Sequence, residues 1–151
     1  MPLVITDASI LIGLEQIGHL PLLPGLFDEV VAPPAVVAEF GHRPDWLREV
    51  PVADRTLVMA HRAHLLDEGE AEAIALAREH PGATLLMDER RGRRYAEALG
   101  IPIVGTAGLL VRAKQRGLIA EVRPLLDDLR AVGFWLSDPL YALVLALAGE
   151  A

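Results

Sequence analysis

The sequence predicts an α/β protein built on a parallel sheet covered on both faces. Short apolar runs alternate with longer segments of helical periodicity, and the runs are too continuously apolar to leave a wet face. At 151 residues, 52% of them hydrophobic, the chain is long enough to bury one substantial core but too short for two ordinary domains. Residues 1–151 are therefore read as a single domain.

Leu3 to Thr6 form an apolar run ending at Asp7, and Ile10, Leu11, Leu14 and Ile17 then recur at helical spacing within Ser9 to Gly18. A second strand is expected at Glu29 to Ala32. Pro33-Pro34 after it suits the first turn of a helix carrying Val36, Val37 and Phe40, with Glu39 near its end. From Gly41 to about Ala53 the chain is Pro-rich and irregular, with room for a short strand at Glu49 to Val52. A helix follows from Arg55 to Leu65, then one from Glu68 to Glu79, whose acidic opening suits a helix amino terminus and which closes before Pro81-Gly82. Thr84 to Met87 make an apolar strand ending at Asp88. An arginine-rich helix to about Leu99 leads through Gly100 into a strand at Ile101 to Val104, with the chain economy of a βαβ crossover. Thr106 can cap a helix running to Arg116, and two further helices are expected at Val122 to Val132 and Asp138 to Ala148.

Several function classes fall away on composition. No cysteine is present, so disulfides, thiolate metal sites and a cysteine nucleophile are excluded. The amino terminus lacks a basic region followed by a long apolar stretch, and the longest uncharged apolar segment, Pro139 to Gly149, falls well short of the roughly 18 residues of a membrane span. A cytoplasmic protein without membrane attachment is expected. The net charge of −7 argues against a broad electrostatic grip on nucleic acid but leaves local contacts open.

The informative residues are acids. Ligands of a parallel α/β sheet bind beyond the carboxyl ends of its strands, and Asp7 and Asp88 each directly follow an expected strand. Hard divalent cations prefer such oxygen donors, and Mg²⁺ needs only one or two direct carboxylates. Glu70 joins them because its helical neighbours Ala73, Ile74 and Ala77 are all apolar, and an inward carboxylate is costly unless paired, protonated or bound to a cation. Glu72 shares its row with Ala75, Leu76 and Glu79 and is expected at a boundary or solvent face. The alternative for Glu70 is a first-turn residue stabilised by the helix dipole and water. Glu39 draws interest from its position at the end of the helix after the second strand, within reach of the same rim. Ser9 is expected to cap the first helix and to support the site.

The run Val4-Ile5-Thr6-Asp7-Ala8-Ser9, with Glu39, Gly69-Glu70-Ala71-Glu72-Ala73-Ile74 and Leu85-Leu86-Met87-Asp88-Glu89 in that order, resembles the PIN-domain superfamily. More narrowly it is similar to the DUF3368 branch, close to the VapC-type toxins, and the likeness spans nearly the whole chain. The resemblance implies a three-layer α/β/α sandwich with a central, mainly parallel sheet. It implies a metal-dependent endoribonuclease using Mg²⁺ or Mn²⁺, with catalytic acids at Asp7, Glu39, Glu70 and Asp88. Asp7 would be the central ligand, Glu70 and Asp88 would complete the inner shell or hold metal-bound water, and Glu39 would support the site from the other side. Glu72 and Glu89 stay open as alternatives to Glu70 and Asp88. RNA as substrate, an antitoxin protein and a second copy of the chain are the implied partners. A catalytically degenerate PIN-like domain that binds RNA or protein is the second reading. A phosphotransfer receiver or a haloacid-dehalogenase-like phosphatase fits poorly, since position 9 is Ser and Lys114 is the one lysine.

Other residues carry less. Arg90, Arg91, Arg93 and Arg94 follow Asp88 and could approach a phosphate, or form a salt-bridged solvent face. Arg112, Lys114 and Arg116 are solvated charges by default. His61 and His64, with Asp67 and Glu68 nearby, loosely imitate zinc-ligand spacing without a second ligand pair. Trp135, Leu136, Leu140, Leu143, Val144 and Leu147 are read as core, with a dimer face or a groove for a partner's helix as the sharper alternative.

Overall fold

A computed structural model describes residues 3–151. Five strands form one sheet: β1 (Val4–Thr6), β2 (Val30–Ala32), β3 (Leu47–Glu49), β4 (Thr84–Leu86) and β5 (Ile103–Val104), in the order β3-β2-β1-β4-β5. Every pairing is parallel, with Val4 opposite both Val30 and Thr84, Val30 opposite Leu47, and Leu85 opposite Ile103.

Alternation along the strands sorts the side chains into two cores, since successive residues of a strand point to opposite faces. Val4, Val30, Ala32 and Leu86 face a core completed by α1 (Ala8–Gln16), α2 (Leu22–Leu26), α3 (Pro34–Phe40), α7 (Thr106–Gln115), α8 (Arg123–Ala131) and α9 (Asp138–Leu147). Ile5, Val31, Leu85 and Met87 face the other, built with α4 (Arg55–Arg62), α5 (Glu68–Glu79) and α6 (Arg90–Ala98). The expected α/β/α sandwich is therefore present, and its two buried faces explain why the strands read as unbroken apolar runs.

Some local expectations shift. The third strand lies at Leu47–Glu49 instead of Glu49 to Val52: only Leu47 of it is buried, because an edge strand can leave Arg48 and Glu49 in water. α4 stops at Arg62 rather than Leu65, and Leu65 adopts a left-handed backbone with φ of 66°. Pro102 shortens the last strand to two residues, although its carbonyl still accepts the Leu85 amide at 2.9 Å. α2 was not expected, since Pro24 and Gly25 within Leu22–Leu26 disguise a single helical turn whose three leucines are buried. α5 carries no wet stripe over its middle: Ala71 through Ala77 are all buried, so Glu72 is buried with them, against the expectation of a solvent face. α9 departs the other way. It buries Val144 and Leu145 but leaves Leu140, Leu143 and Leu147 exposed, so core packing does not account for its apolar surface.

Candidate active site

The candidate acids owe their places to chain junctions at the carboxyl rim of the sheet. Asp7 stands between β1 and α1 in extended backbone, φ −90° and ψ 177°, where its carboxylate accepts the Ile10 amide at 3.1 Å. It is thus the cap that Ser9 was expected to be. Ser9 lies inside the first turn and donates its hydroxyl to both Asp7 oxygens, at 2.8 and 3.0 Å. The Asp7 amide in turn donates to the Leu86 carbonyl at 3.0 Å, which ties the end of β1 to the end of β4. Asp7 is 3% exposed. That burial pushes its carboxyl up to about 8 despite the Ile10 and Ser9 hydrogen bonds, and the charges of Asp88 and Glu70 push the same way.

Asp88 is fixed by Thr106, whose amide donates to Oδ1 at 2.8 Å and whose hydroxyl donates to Oδ2 at 2.5 Å. Thr106 is therefore the first residue of α7 and a brace for Asp88, not the cap; that position belongs to Gly105, which makes no side-chain bond. A Cβ on Gly105 would sit 2.5 Å from Arg93 Nη1 and 2.8 Å from Asp88 Oδ1, so only glycine admits this close approach. Burial holds the Asp88 carboxyl above its usual range, although Thr106 and Arg93 pull it down.

Glu70 lies in the first turn of α5 and closes a capping box: the Asp67 carboxylate accepts the Glu70 amide at 2.8 Å, and the Glu70 carboxylate accepts the Asp67 amide at 3.0 Å. Its apolar row is buried as expected, but Glu70 itself is half-buried at the row's open end. Burial pushes its carboxyl up to about 7 against the pull of the Asp67 amide, with Asp67 and Glu89 adding to the rise. Glu89 caps α6, accepting the Gly92 amide at 2.7 Å. Burial works against its ionisation, yet the Gly92 and Arg91 amides and the Glu70 carboxyl hold it below the usual range. Gly92 must be small here, since a Cβ would lie 2.6 Å from the Met87 sulfur. Glu39 is exposed, and burial followed by the Asp67 charge raises its pKa.

Asp7, Ser9, Glu39, Asp67, Glu70 and Glu89 line one cavity of about 120 Å³. Asp88 does not face it. It opens, with Ser9 and Glu89, onto a groove of about 1080 Å³ running between α6, α7 and α9. Ser9 and Glu89 line both spaces. Among the described residues no three carboxylates or imidazoles converge closely enough to hold an ion as they stand. Asp67 was overlooked as a site residue, although Asp67-x-x-Glu70 before an apolar run is a capping-box signature.

Glu72 takes no part in the cavity. Its carboxylate accepts the Ala35 amide at 3.0 Å and an Arg55 bond at 3.0 Å, a structural bridge from α5 to α3 and α4. His61 and His64 both turn to Tyr95, with His61 Nδ1 2.7 Å from its hydroxyl and the His64 ring 4.7 Å from its ring, which leaves the zinc reading without support. Lys114 pairs with Glu150 at 3.0 Å, whereas Arg90, Arg93, Arg94 and Arg112 line the groove.

Acids gathered at the carboxyl rim of a parallel sheet between two helical layers define an α/β protein of the PIN type. A family model, DUF3368, described as a PIN domain, matches residues 3–150, and the chain belongs to that family. No curated protein matches it. PIN domains are generally nucleases that use divalent metal ions, so the fold is a nuclease-type one. Among the described residues no helix is long and apolar enough to cross a membrane.

Proposed function

We propose that the protein is a metal-dependent endoribonuclease, the cytoplasmic toxin of a type II toxin–antitoxin pair, with Asp7, Glu70 and Asp88 as metal-binding carboxylates and Glu39 as the supporting acid. RNA is the substrate, and an antitoxin protein and a second copy of the chain are its partners. The observation that carries this reading is Asp7: a buried carboxyl pushed up to about 8, with Asp88 and Glu70 adding repulsion, is a site that a cation would relieve. The donors fit Mg²⁺ or Mn²⁺, because the cavity and its rim offer carboxylate oxygens and neither sulfur nor imidazole.

A bound divalent ion would supply an activated water and stabilise charge on the departing oxygen. The chain's own residues do the rest. Ser9 and the Ile10 amide orient the Asp7 carboxylate, and Thr106 fixes that of Asp88. Glu70 is poised near neutrality to release its proton when positive charge arrives. Arg93, beside Asp88 and on the groove, is placed to meet a phosphate oxygen.

The second reading is a PIN domain that binds RNA or protein without cutting, favoured by the lack of three converging ligands among the described residues. Cleavage of a panel of single-stranded and structured RNAs by wild type and Asp7→Asn, with Mg²⁺ or Mn²⁺ and then EDTA, separates the two. Metal-dependent cutting abolished by the substitution upholds the nuclease. Equal cutting by both proteins, or none by either, overturns it.

A further inference from the structure

Among the described residues one buried side-chain polar atom has no hydrogen-bond partner, and it is Nε2 of His61. His61 is 3% exposed and lines neither the acid cavity nor the groove beside it. Its other ring nitrogen, Nδ1, lies 2.7 Å from the Tyr95 hydroxyl, which can donate to a bare nitrogen or accept from a protonated one. A neutral imidazole is therefore satisfied at Nδ1 and leaves one atom unused. A second proton makes both nitrogens donors and sets a charged N–H in dry surroundings with nothing to receive it. Burial first, then the positive charges of Arg78 on α5 and of His64 beyond the end of α4, hold the imidazole below its usual range. The acids of α5 are engaged elsewhere, Glu72 by Arg55 and the Ala35 amide, Glu79 by the Ala53 and Asp54 amides.

His61 matters for what it fastens. Those bonds to α5 anchor α4 at its start, whereas its last turn meets α6 through His61 and Tyr95. The loop that follows lies against the same helix, with the His64 ring 4.7 Å from the Tyr95 ring and the Leu65 carbonyl 3.5 Å from Arg91 Nη1. Leu65 holds a left-handed backbone there, φ 66°, a strain that release would relax. Two residues on, Asp67 caps α5 and lines the acid cavity. We infer that His61 and Tyr95 form an acid-sensitive clasp: protonation of the buried imidazole frees the end of α4 and the loop to Asp67, which pivot on the Arg55 end and loosen one wall of the cavity. The clasp acts on that wall whether or not the site cuts RNA.

The test is amide hydrogen–deuterium exchange read by mass spectrometry, in EDTA at pH 7.5 and 5.5, corrected for the intrinsic pH dependence of exchange. Residues 55–67 take up one more proton when open than when closed, so their opening constant should rise about 5- to 10-fold over that interval. Asp7 and Glu70 hold their protons more tightly in the folded chain, so acid favours closure elsewhere and the loss stays local. In His61→Phe, which keeps a ring that cannot be protonated, the opening constant should not rise. His64→Gln should behave as wild type. Tyr95→Phe removes the hydroxyl alone and should open the segment about fivefold more at pH 7.5, the worth of one hydrogen bond. Exchange in wild type that is the same at both pH values, rises equally in His61→Phe, or rises evenly over all helices overturns the clasp. Should His61→Phe fail to fold, proton NMR titration of the His61 ring in wild type decides: a midpoint below about 6.5 upholds the clasp, and one at or above it overturns it.

Discussion

Replacing Asp7 by Asn should make the metal-free protein more stable, and increasingly so as the pH rises. The Asp7 carboxyl ionises near 8 in the folded chain and near 3.8 when free, so between those values the folded state holds a proton that the unfolded state has released. Wild-type stability is therefore undiminished by this group below about pH 4, falls as the pH rises towards about 8, and is flat beyond. At about 1.4 kcal/mol for each pH step, the full cost above pH 8 reaches roughly 6 kcal/mol. Asn keeps the oxygen that accepts from Ile10 and Ser9 but loses the charge, which weakens those two bonds by about 1–2 kcal/mol in total. The net gain should be near zero at pH 4 and about 4–5 kcal/mol at pH 8.5, or roughly 8–20 °C in Tm for a domain of this size. Thermal unfolding followed by circular dichroism in EDTA, at pH 4, 6, 7 and 8.5, measures it. Tm curves for the two proteins that run parallel across this range, or a wild type that gains on the variant as the pH rises, would refute the reasoning.

Three further substitutions separate the site from its frame. Thr106→Val removes the hydroxyl that holds Asp88 Oδ2 and should weaken Mn²⁺ binding, read by calorimetry, about tenfold, the worth of one hydrogen bond to a charged group. Glu72→Ala strips the Ala35 amide of its acceptor and Arg55 of its partner, and should cost about 2–3 kcal/mol in urea unfolding, with metal binding retained by the folded fraction. Gly105→Ala sets a Cβ against Asp88 Oδ1 and Arg93 Nη1; Asp88 is the shorter and better anchored of the two, so metal-dependent cleavage should drop at least about tenfold while the circular dichroism spectrum holds.

The layers of the fold were legible because both faces of the sheet are buried, so every strand of the interior had to be apolar without a break. The two rim aspartates were legible for the same reason, each being the first charge after such a run. Glu72 was misread because helical periodicity assumes one wet side, whereas the middle of α5, Ala71 through Ala77, is enclosed by α3, α4 and the sheet and has none. Its acid is satisfied by a backbone amide 37 residues away and an arginine 17 away, contacts that no local spacing encodes. Ser9 and Thr106 look alike in sequence, each a hydroxyl at the head of a helix. In both cases an earlier residue, Asp7 or Gly105, takes the cap position and the hydroxyl turns to an aspartate, an outcome decided by where the strand ends. The exposed side of α9 was unreadable in principle, because its leucines have the same spacing as those that pack.

The pairing of Val4 with Thr84 places a demand on the order of events as the chain is made. β1 is the central strand, yet one of its two neighbours arrives some eighty residues later, and the Asp7 amide has no carbonyl to meet until Leu86 is in position. Closing so wide a loop is entropically slow, and a growing chain offers its amino-terminal half first. Asp7 therefore cannot be sealed at the rim before the chain has been made as far as Leu86, nor Asp88 braced before it has been made as far as Thr106. On the nuclease reading, an unfinished chain is harmless to the transcripts around it, and activity begins only when the middle of the sheet closes.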